Sequence, residues 1–317
     1  MLPLSQSHLT LLDACARKFK YVFFDGLSSP SSYEQQAKTQ WGTQFHLLMQ
    51  QKALNLPVDM MSEADAEMIR RLDGLAEAAP DVFRYLCCSA NLEAVTQADV
   101  QADVQADVQA DVQADARTST RTGTRTTAQS EQRRTLAFDD YLLTVVYDLV
   151  VETPEGAQIF DWKTHQKPLR KEWLRNDWQT RLYLYVLSET TGFVPEQLSM
   201  TYCFVRVESG DRDETGAVMP SFHKFNYSSR QHAQTKQDLQ RLTAGLTKAI
   251  AQLEAGHEDA AFPKVDEAKG LCDRCPFALR CDRAQSAFPN AASQNDPYQL
   301  LRAARQITVE SVEEIPL

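Results

Sequence analysis

Apolar residues recur every three or four positions in five segments of this chain, which is the period of an amphipathic α-helix. The predicted helices cover residues 9–24, 36–54, 63–79, 171–190 and 229–255. Ser62 precedes the third helix as a candidate N-cap, and Gly192 and Gly256 follow the last two as stop signals. Outside one central tract, the chain therefore has the pattern of an ordered protein.

Segments rich in β-branched and aromatic residues predict five strands. They cover residues 91–96, 135–152, 157–164, 198–207 and 218–227. Between the second and the third lies Thr153-Pro154-Glu155-Gly156, which has the composition of a turn. We therefore expect these two strands to form a hairpin.

A low-complexity tract separates the first two predicted strands. From Gln97 to Ala116 the tetrad Gln-Ala-Asp-Val occurs four times and then once as Gln-Ala-Asp-Ala, and a threonine- and arginine-rich stretch follows to Arg134. A four-residue period matches neither strand alternation nor a solenoid repeat, and the tract has no aromatic residue to bury. We predict that residues 97–134 are a disordered or frayed-helical insertion, a repeat expansion tolerated in an exposed loop.

The length of 317 residues allows one large domain or two small ones, and either can bury a hydrophobic core. The longest apolar stretch, residues 141–151, is interrupted by Thr144 and Asp148 and is too short to cross a bilayer. Residues 1–24 lack the uninterrupted apolar segment of a signal peptide. We therefore expect a cytoplasmic protein without membrane association.

The charge balance is acidic, with a formal net charge of −10 and an isoelectric point near 5.2. A net negative charge excludes a generally basic surface that would bind nucleic acid non-specifically. A local basic groove beside an acidic metal site remains compatible with an acidic protein. The chain has seven cysteines, an odd number. In a cytoplasmic protein we expect reduced thiols, metal ligands or core residues rather than disulfides.

The predicted hairpin brings two carboxylates and an amine together. Side chains alternate along a strand, so Asp161 and Lys163 share one face. With the turn centred within Pro154-Glu155, Asp148 lies directly across from Asp161, with the two Cβ atoms about 5 Å apart. Like charges at that distance are unfavourable unless a cation lies between them, and carboxylates suit hard ions such as Mg²⁺ or Mn²⁺. Lys163 could then orient or deprotonate a metal-bound water.

A simple ion pair between Asp161 and Lys163 in solvent is the alternative explanation, and on this hairpin alone it is favoured. Two other features change that balance. His46 follows Gly42 by four positions on the second predicted helix. Gln179 and Tyr183 are also four positions apart, so they share a face of the helix that follows the hairpin. His46 or Tyr183 alone would be interpreted as an ordinary core residue.

Taken together and in this order, these residues resemble the RecB-like branch of the PD-(D/E)XK nuclease superfamily. The matching motifs are Leu4-Ser5-Gln6-Ser7, Cys15-Ala16-Arg17-Lys18-Phe19, Gly42-x-x-x-His46, Asp148, Asp161-Trp162-Lys163-Thr164 and Gln179-x-x-x-Tyr183. The resemblance covers approximately residues 4–50, 135–190 and 262–283. It implies an α/β restriction-endonuclease-like core, in which a mixed β-sheet is flanked by helices. The expected organisation is one nuclease domain over residues 1–287 and a tail over residues 288–317.

The resemblance also implies roles for individual residues. The implied ligands of a divalent metal, Mg²⁺ or Mn²⁺, are His46, Asp148, Asp161 and the backbone carbonyl of Trp162. Lys163 is implied to be the catalytic lysine, with Gln179 and Tyr183 supporting the active site or the DNA strand. The family often has a glycine three residues before the first strand acid, where this chain has Val145. The bulk of that valine is expected to narrow the approach of a DNA backbone.

Three cysteines lie close together near the end of the predicted ordered region, as Cys272-x-x-Cys275 and then Cys281. This spacing in a polar loop favours a metal or cluster site. Tetrahedral zinc or a [4Fe–4S] cluster needs a fourth ligand, for which the candidates are Cys15, Cys87, Cys88 and Cys203. Cys203, Cys87 and Cys88 have apolar neighbours and are expected to be core residues. Resemblance to nucleases of this branch implies that Cys15, Cys272, Cys275 and Cys281 hold an iron–sulfur cluster, with Zn²⁺ as the alternative.

The function expected from this resemblance is that of a metal-dependent DNA exonuclease in repair or recombination. One alternative is a module that binds DNA ends or a partner helicase without cutting, and another is a CRISPR-associated nuclease. Arg170, Lys171, Arg175 and Arg181 are candidate phosphate contacts, although a solvated helix face explains them equally well. The chain has no Gly-x-x-x-x-Gly-Lys-Ser/Thr loop, so any helicase motor is expected on another chain.

Overall fold

The computed structural model describes residues 1–28, 32–54, 56, 63–80, 82, 126–165, 171–205 and 220–283. The chain divides into two compact units, the first comprising Met1–Thr10 and Pro30–Ala251, the second Leu11–Ser29 and Gln252–Leu317. The predicted strand over residues 91–96, the tetrad repeat, Cys87, Cys88, Arg170 and the tail over residues 288–317 lie outside the described residues.

The described helices are α1 (Gln6–Ala14), α2 (Ala16–Phe23), α3 (Tyr33–Ala53), α4 (Glu63–Ala78), α5 (Lys171–Asn176), α6 (Trp178–Thr190), α7 (Ser229–Glu254) and α8 (Glu258–Ala261). Short 3₁₀ turns cover Pro195–Gln197, Glu267–Lys269 and Leu279–Cys281. None of the described helices combines the length and apolar character needed to cross a bilayer.

The strands are β1 (Leu2–Leu4), β2 (Thr127–Phe138), β3 (Tyr141–Thr153), β4 (Gly156–Lys163), β5 (Leu198–Phe204) and β6 (Ser221–Asn226). They form one sheet in the order β1-β3-β4-β5-β6, with β2 also paired to β3. The β1–β3 and β4–β5 pairs are parallel, and the other pairs are antiparallel. The mixed sheet flanked by helices confirms the predicted fold class.

The prediction of one long strand over residues 135–152 is wrong. It is two strands, β2 and β3, joined by a tight turn at Asp139-Asp140, where Asp139 has a left-handed backbone (φ 51°). Aspartate tolerates that conformation better than most residues, so two adjacent aspartates make a turn without glycine or proline. Because β2 begins at Thr127, residues 127–134 also form regular structure, contrary to the insertion predicted over residues 97–134.

Two predicted helices are each broken once. The helix over residues 171–190 divides at Asp177, whose extended backbone and side chain cap α6 by accepting a hydrogen bond from the Gln179 amide (2.8 Å). The helix over residues 9–24 divides at Cys15, where Sγ accepts from the Lys18 amide (3.5 Å). Both breaks are N-caps, in which a side chain satisfies a backbone donor that the helix leaves unpaired.

Helices cover both faces of the sheet. On one face, Phe45, Leu48 and Met49 of α3 join Leu72 and Leu75 of α4 in a core with Leu149, Val151, Phe160 and Trp162. On the other face, α6 packs on β2, β3 and β5. There the Tyr147 hydroxyl donates to the backbone carbonyl of Tyr183 (3.1 Å), and the two rings meet edge to face. The buried sheet thus provides a rigid base for the polar groups at the ends of β3 and β4.

The second unit is organised around buried cations of α2. Arg17 is 6% exposed and donates to the Phe262 carbonyl (2.5 Å) and to the Asp259 carboxylate (2.7 Å). Lys20, equally buried, forms ion pairs with Asp25 and Glu258, each at 2.8 Å. Each buried charge is therefore paired, as burial in a protein interior requires.

Candidate metal centre

The hairpin of β3 and β4 has the predicted register. Thr153 pairs with Gly156 and Leu149 with Phe160, which places Asp148 opposite Asp161 at the next position. The ladder ends there, and Asp148 Oδ2 accepts a hydrogen bond from the Trp162 amide (2.7 Å). The Asp148 carboxylate therefore occupies the point where the two strands separate.

His46 reaches the same point from α3. Its Nδ1 lies 3.2 Å from Asp148 Oδ1. Gly42, one helical turn earlier, allows this approach, because a Cβ at that position would lie 2.8 Å from Thr164 Oγ1. A glycine followed four residues later by histidine thus brings the helix against the end of β4 and directs the imidazole towards Asp148.

Lys163, Asp161 and Gln179 form a closed triangle of contacts. The Lys163 ammonium donates to Gln179 Oε1 (2.7 Å) and lies 2.7 Å from Asp161 Oδ1. The side-chain amide of Gln179 donates through Nε2 to Asp161 Oδ2 (2.6 Å). Asp177 caps α6 directly before Trp178 and accepts a hydrogen bond from the backbone amide of Gln179, so the start of the helix positions the Gln179 side chain.

The Asp161 carboxylate is only partly satisfied by these contacts. Asp161 is 2% exposed, and its Oδ1 accepts no hydrogen bond of normal geometry from the residues that the structure describes, although the Lys163 ammonium is at ion-pair distance. Burial, reinforced by the Asp148 charge, raises the pKa of Asp161 to about 7 against the opposing effect of Lys163. The Asp161 carboxylate is therefore a buried group that the Lys163 ammonium and the Gln179 side-chain amide neutralise only in part.

The pKa values of His46 and Tyr183 are raised by the same carboxylate charges. Burial acts to lower the pKa of His46, but the hydrogen bond and charge of Asp148 outweigh it, so this pKa is raised. Burial raises the pKa of Tyr183, with the Asp161 and Asp148 charges adding to it and a hydrogen bond to Gln179 opposing it. The structure therefore brings the predicted site side chains into one neighbourhood: His46, Asp148, Asp161, Lys163, Gln179 and Tyr183. Of the three predicted side-chain metal ligands, His46 and Asp148 have donor atoms within 4.8 Å of each other, whereas Asp161 is not part of that close group.

Sequence reasoning missed one acidic residue of this centre, Glu131 of β2. Donor atoms of His46, Glu131 and Asp148 all lie within 4.8 Å of one another. Glu131 fell within the predicted insertion, and its own neighbours carry no motif that would have identified it. Carboxylate oxygens suit hard cations such as Mg²⁺ and Mn²⁺, so the two acidic side chains fit a divalent cation of this kind.

The basic side chains near the start of α6 differ in exposure and in ion pairing. Arg181 is engaged by Asp238 (2.5 Å) and stacks over the Trp178 ring. Lys171 and Arg175 are exposed and both lie over the Phe225 ring, at 5.2 and 5.8 Å from its centroid. Of these predicted phosphate contacts, Lys171 and Arg175 are the better presented to a ligand.

A separate thiol cluster occurs in the second unit. Cys15, Cys272, Cys275 and Cys281 line one cavity of about 100 Å³, together with Lys18, Lys264 and Arg283. Arg283 lies 3.0 Å from Cys272 Sγ, and the Cys281 thiol is 3.9 Å from the Tyr21 hydroxyl. No three of these four described thiols come within 4.8 Å of one another. Cys203 is fully buried in β5 of the other unit, as expected for a core residue.

Comparison with known proteins gives a family for this chain. The family model of the PD-(D/E)XK nuclease superfamily matches residues 3–282. One similar solved structure, titled "Crystal structure of SSO0001", has 10% identity and a TM-score of 0.28, and the match covers 67% of this chain and 80% of the other. No functionally curated protein matches the sequence. Because the family match spans most of the chain, this protein belongs to the PD-(D/E)XK nuclease superfamily.

Proposed function

We propose that this protein is a Mg²⁺- or Mn²⁺-dependent deoxyribonuclease of the RecB-like exonuclease type, acting on DNA ends in repair or recombination. The observation that carries the proposal is the convergence of His46, Asp148, Asp161 and Lys163, from one helix and two strands, at the point where β3 and β4 separate. A structural ion pair would need Asp161 and Lys163 alone. It would not account for the imidazole directed at Asp148.

The side chains that would hold the cation are His46, Asp148 and Asp161, with the Trp162 carbonyl as a fourth donor. When bound, such a cation supplies Lewis acidity, which polarises a phosphate and lowers the pKa of water. Asp148 is fixed for this role because its second oxygen is anchored on the Trp162 amide. The orientation of the Asp161 carboxylate is fixed by the hydrogen bond from the side-chain amide of Gln179.

Lys163 is the candidate for the group that orients the attacking water or stabilises the negative charge of the phosphate. Its ammonium is held by Gln179 and Asp161 and lies 5.1 Å from the centroid of the Tyr202 ring. Gln179 contacts both Lys163 and Asp161, so it acts as a positioning residue. Tyr183 supports Gln179 in turn through its hydroxyl. A preorganised ammonium is more effective at a developing charge than one that must be immobilised first.

Lys171 and Arg175 are proposed to hold flanking phosphates, because both are exposed and lie close to the start of α6. A motor that unwinds duplex DNA, if the reaction requires one, would be a separate helicase subunit.

The test is digestion of end-labelled single-stranded and duplex DNA with Mg²⁺, Mn²⁺ or EDTA. We expect cleavage by the wild type only with a divalent metal, and a rate reduced by roughly a hundredfold or more in Lys163→Ala. Lys248→Ala is the matched control, because Lys248 is an exposed lysine of α7. Equal cleavage by the wild type and Lys163→Ala would refute the assignment of Lys163. DNA binding without metal-dependent cleavage would instead indicate the non-cutting module.

We also propose that Cys15, Cys272, Cys275 and Cys281 hold a [4Fe–4S] cluster with a structural role. Their convergence on one cavity supports a shared ligand. The cations Lys18, Lys264 and Arg283 line the same cavity and would offset the charge of bound thiolates. Tetrahedral Zn²⁺ bound by the same four thiolates is the alternative.

Elemental analysis of anaerobically purified protein tests this second proposal. We expect iron and acid-labile sulfide in equal amounts, and loss of both in Cys275→Ser. Zinc without iron in a colourless protein would contradict the cluster and favour a zinc site.

A further inference from the structure

Glu131 has an unusual backbone for its position in the fold. It lies inside strand β2, yet its φ is 51°, in the left-handed region. Residues other than glycine rarely adopt this conformation, and in a strand it interrupts pairing. The strand therefore departs from regular geometry at one particular residue.

The departure falls opposite Asp148. Ser130 pairs with Leu149 and Gln132 pairs with Tyr147, while Glu131 and Asp148 between them are left out of the ladder. The backbone carbonyl of Asp148 accepts a hydrogen bond from the Ser130 hydroxyl (2.9 Å). Regular pairing resumes on both sides, so the distortion changes the direction of one residue without shifting the register.

The result is a carboxylate brought close to two groups already assigned to the metal. A Glu131 carboxylate oxygen, an Asp148 carboxylate oxygen and a His46 ring nitrogen lie within 4.8 Å of one another. Among the described residues, no lysine or arginine forms an ion pair with Glu131. The Asp148 carboxylate is buried, the Glu131 carboxylate is partly buried, and the His46 imidazole lies close to both. Two carboxylates beside one imidazole have excess negative charge, which a divalent cation would neutralise.

The neighbouring Asp161 adds a third carboxylate that is almost fully buried. Its Oδ1 accepts no hydrogen bond of normal geometry from the described residues, and the Lys163 ammonium lies 2.7 Å from it as an ion-pair partner. Glu131 thus lies beside Asp148 on β2, and Asp161 lies beside it on β4, with both strands paired to β3.

We propose that Glu131 is a ligand of the catalytic divalent cation, bound together with His46 and Asp148. The inference rests on the proposed function, and it adds a ligand that the family motifs do not contain. The left-handed backbone conformation of Glu131 directs its carboxylate towards the cation. Strand β2 therefore contributes a residue to the active site.

The experiment is calorimetric titration of Mn²⁺ into the full-length protein without DNA, supported by the electron paramagnetic resonance signal of free Mn²⁺. We expect Glu131→Gln to weaken Mn²⁺ binding at least tenfold. Glu155→Gln is the control, because Glu155 is exposed at the turn of the β3–β4 hairpin, and it should bind Mn²⁺ as the wild type does.

A second variant separates the side chain from the backbone. Glu131→Gly removes the carboxylate but adopts the left-handed conformation without strain. We expect it to fold at least as stably as the wild type in EDTA and to lose Mn²⁺ affinity as Glu131→Gln does. Mn²⁺ binding by both variants within twofold of the wild type would overturn the assignment of Glu131 alone. A wild type that neither binds Mn²⁺ nor cleaves DNA would overturn the proposed function and this inference together.

Discussion

Gly42 offers a sharp test of how α3 delivers His46 to the metal centre. In Gly42→Ala the new methyl group would lie 2.8 Å from Thr164 Oγ1, where ordinary van der Waals contact begins at 3.4 Å. The helix or the threonine must therefore move by about 0.6 Å. The next atom, Thr164 Cβ, is at 3.8 Å and would not obstruct the methyl group.

Two opposing effects set the change in stability. Replacing glycine by alanine inside a helix stabilises it by about 1 kcal/mol, whereas inserting a methyl group into a packed contact costs about 1–3 kcal/mol. We expect Gly42→Ala to lower the free energy of unfolding by between about 0 and 2 kcal/mol. Mn²⁺ affinity should fall as well, because a displaced α3 carries His46 away from Asp148.

The double variant with Thr164→Ala isolates the cause. Removing the hydroxyl removes the obstruction, so Gly42→Ala in the Thr164→Ala background should raise the free energy of unfolding by about 1 kcal/mol, which is the helix propensity alone. Urea denaturation and Mn²⁺ titration of the four proteins measure both quantities. If Gly42→Ala has the same effect with and without the Thr164 hydroxyl, close approach is not the reason for the glycine.

Three further predictions concern the surroundings of the site. Asp177→Ala should lower the free energy of unfolding by about 1 kcal/mol in urea denaturation and slow DNA cleavage, because the side-chain cap on the Gln179 backbone amide in the first turn of α6 is lost; Asp177→Asn keeps the cap and should preserve both. Mn²⁺ affinity should rise from pH 6 to pH 8, because the pKa of Asp161 is raised to about 7 and the proton competes with the metal below it; calorimetry in two buffers of different ionisation enthalpy measures the proton release, and a pH-independent affinity would contradict this reasoning. Replacing Lys171 and Arg175 by alanine should weaken binding of single-stranded DNA in Ca²⁺ and reduce the salt dependence of log K by about 0.7 per lost phosphate contact, whereas an unchanged salt slope would assign both residues to a solvated surface.

The sequence alone was sufficient for the parts of the site that local chemistry determines. The turn at Pro154-Glu155 sets the register of its hairpin, and strand alternation then gives the shared face of Asp161 and Lys163. The Gly42 to His46 spacing is likewise local, since one helical turn separates the two residues. Short-range geometry of this kind can be derived without knowing the rest of the fold.

The parts that failed depend on backbone conformations that the sequence pattern does not reveal. Glu131 and Asp139 both have left-handed backbones with no glycine to signal it. Asp177 interrupts a helix whose apolar period continues on both sides, so periodicity alone predicts one continuous helix. Strand β2 is largely polar and follows a low-complexity tract, so its sequence pattern does not indicate a strand. Its pairing with β3 is what makes it a strand.

The hydrogen bond between Asp148 and the Trp162 amide has a practical consequence for anyone who needs an inactive protein with an intact fold. Substituting Asp148 by alanine would remove a proposed metal ligand and also leave a buried amide of the central hairpin unpaired, so loss of cleavage would not separate chemistry from misfolding. Asparagine keeps an oxygen acceptor for that amide, and Lys163→Ala leaves the amide's partner in place. If the proposed function holds, these two variants, rather than Asp148→Ala, are the suitable inactive forms for crystallisation with uncut DNA.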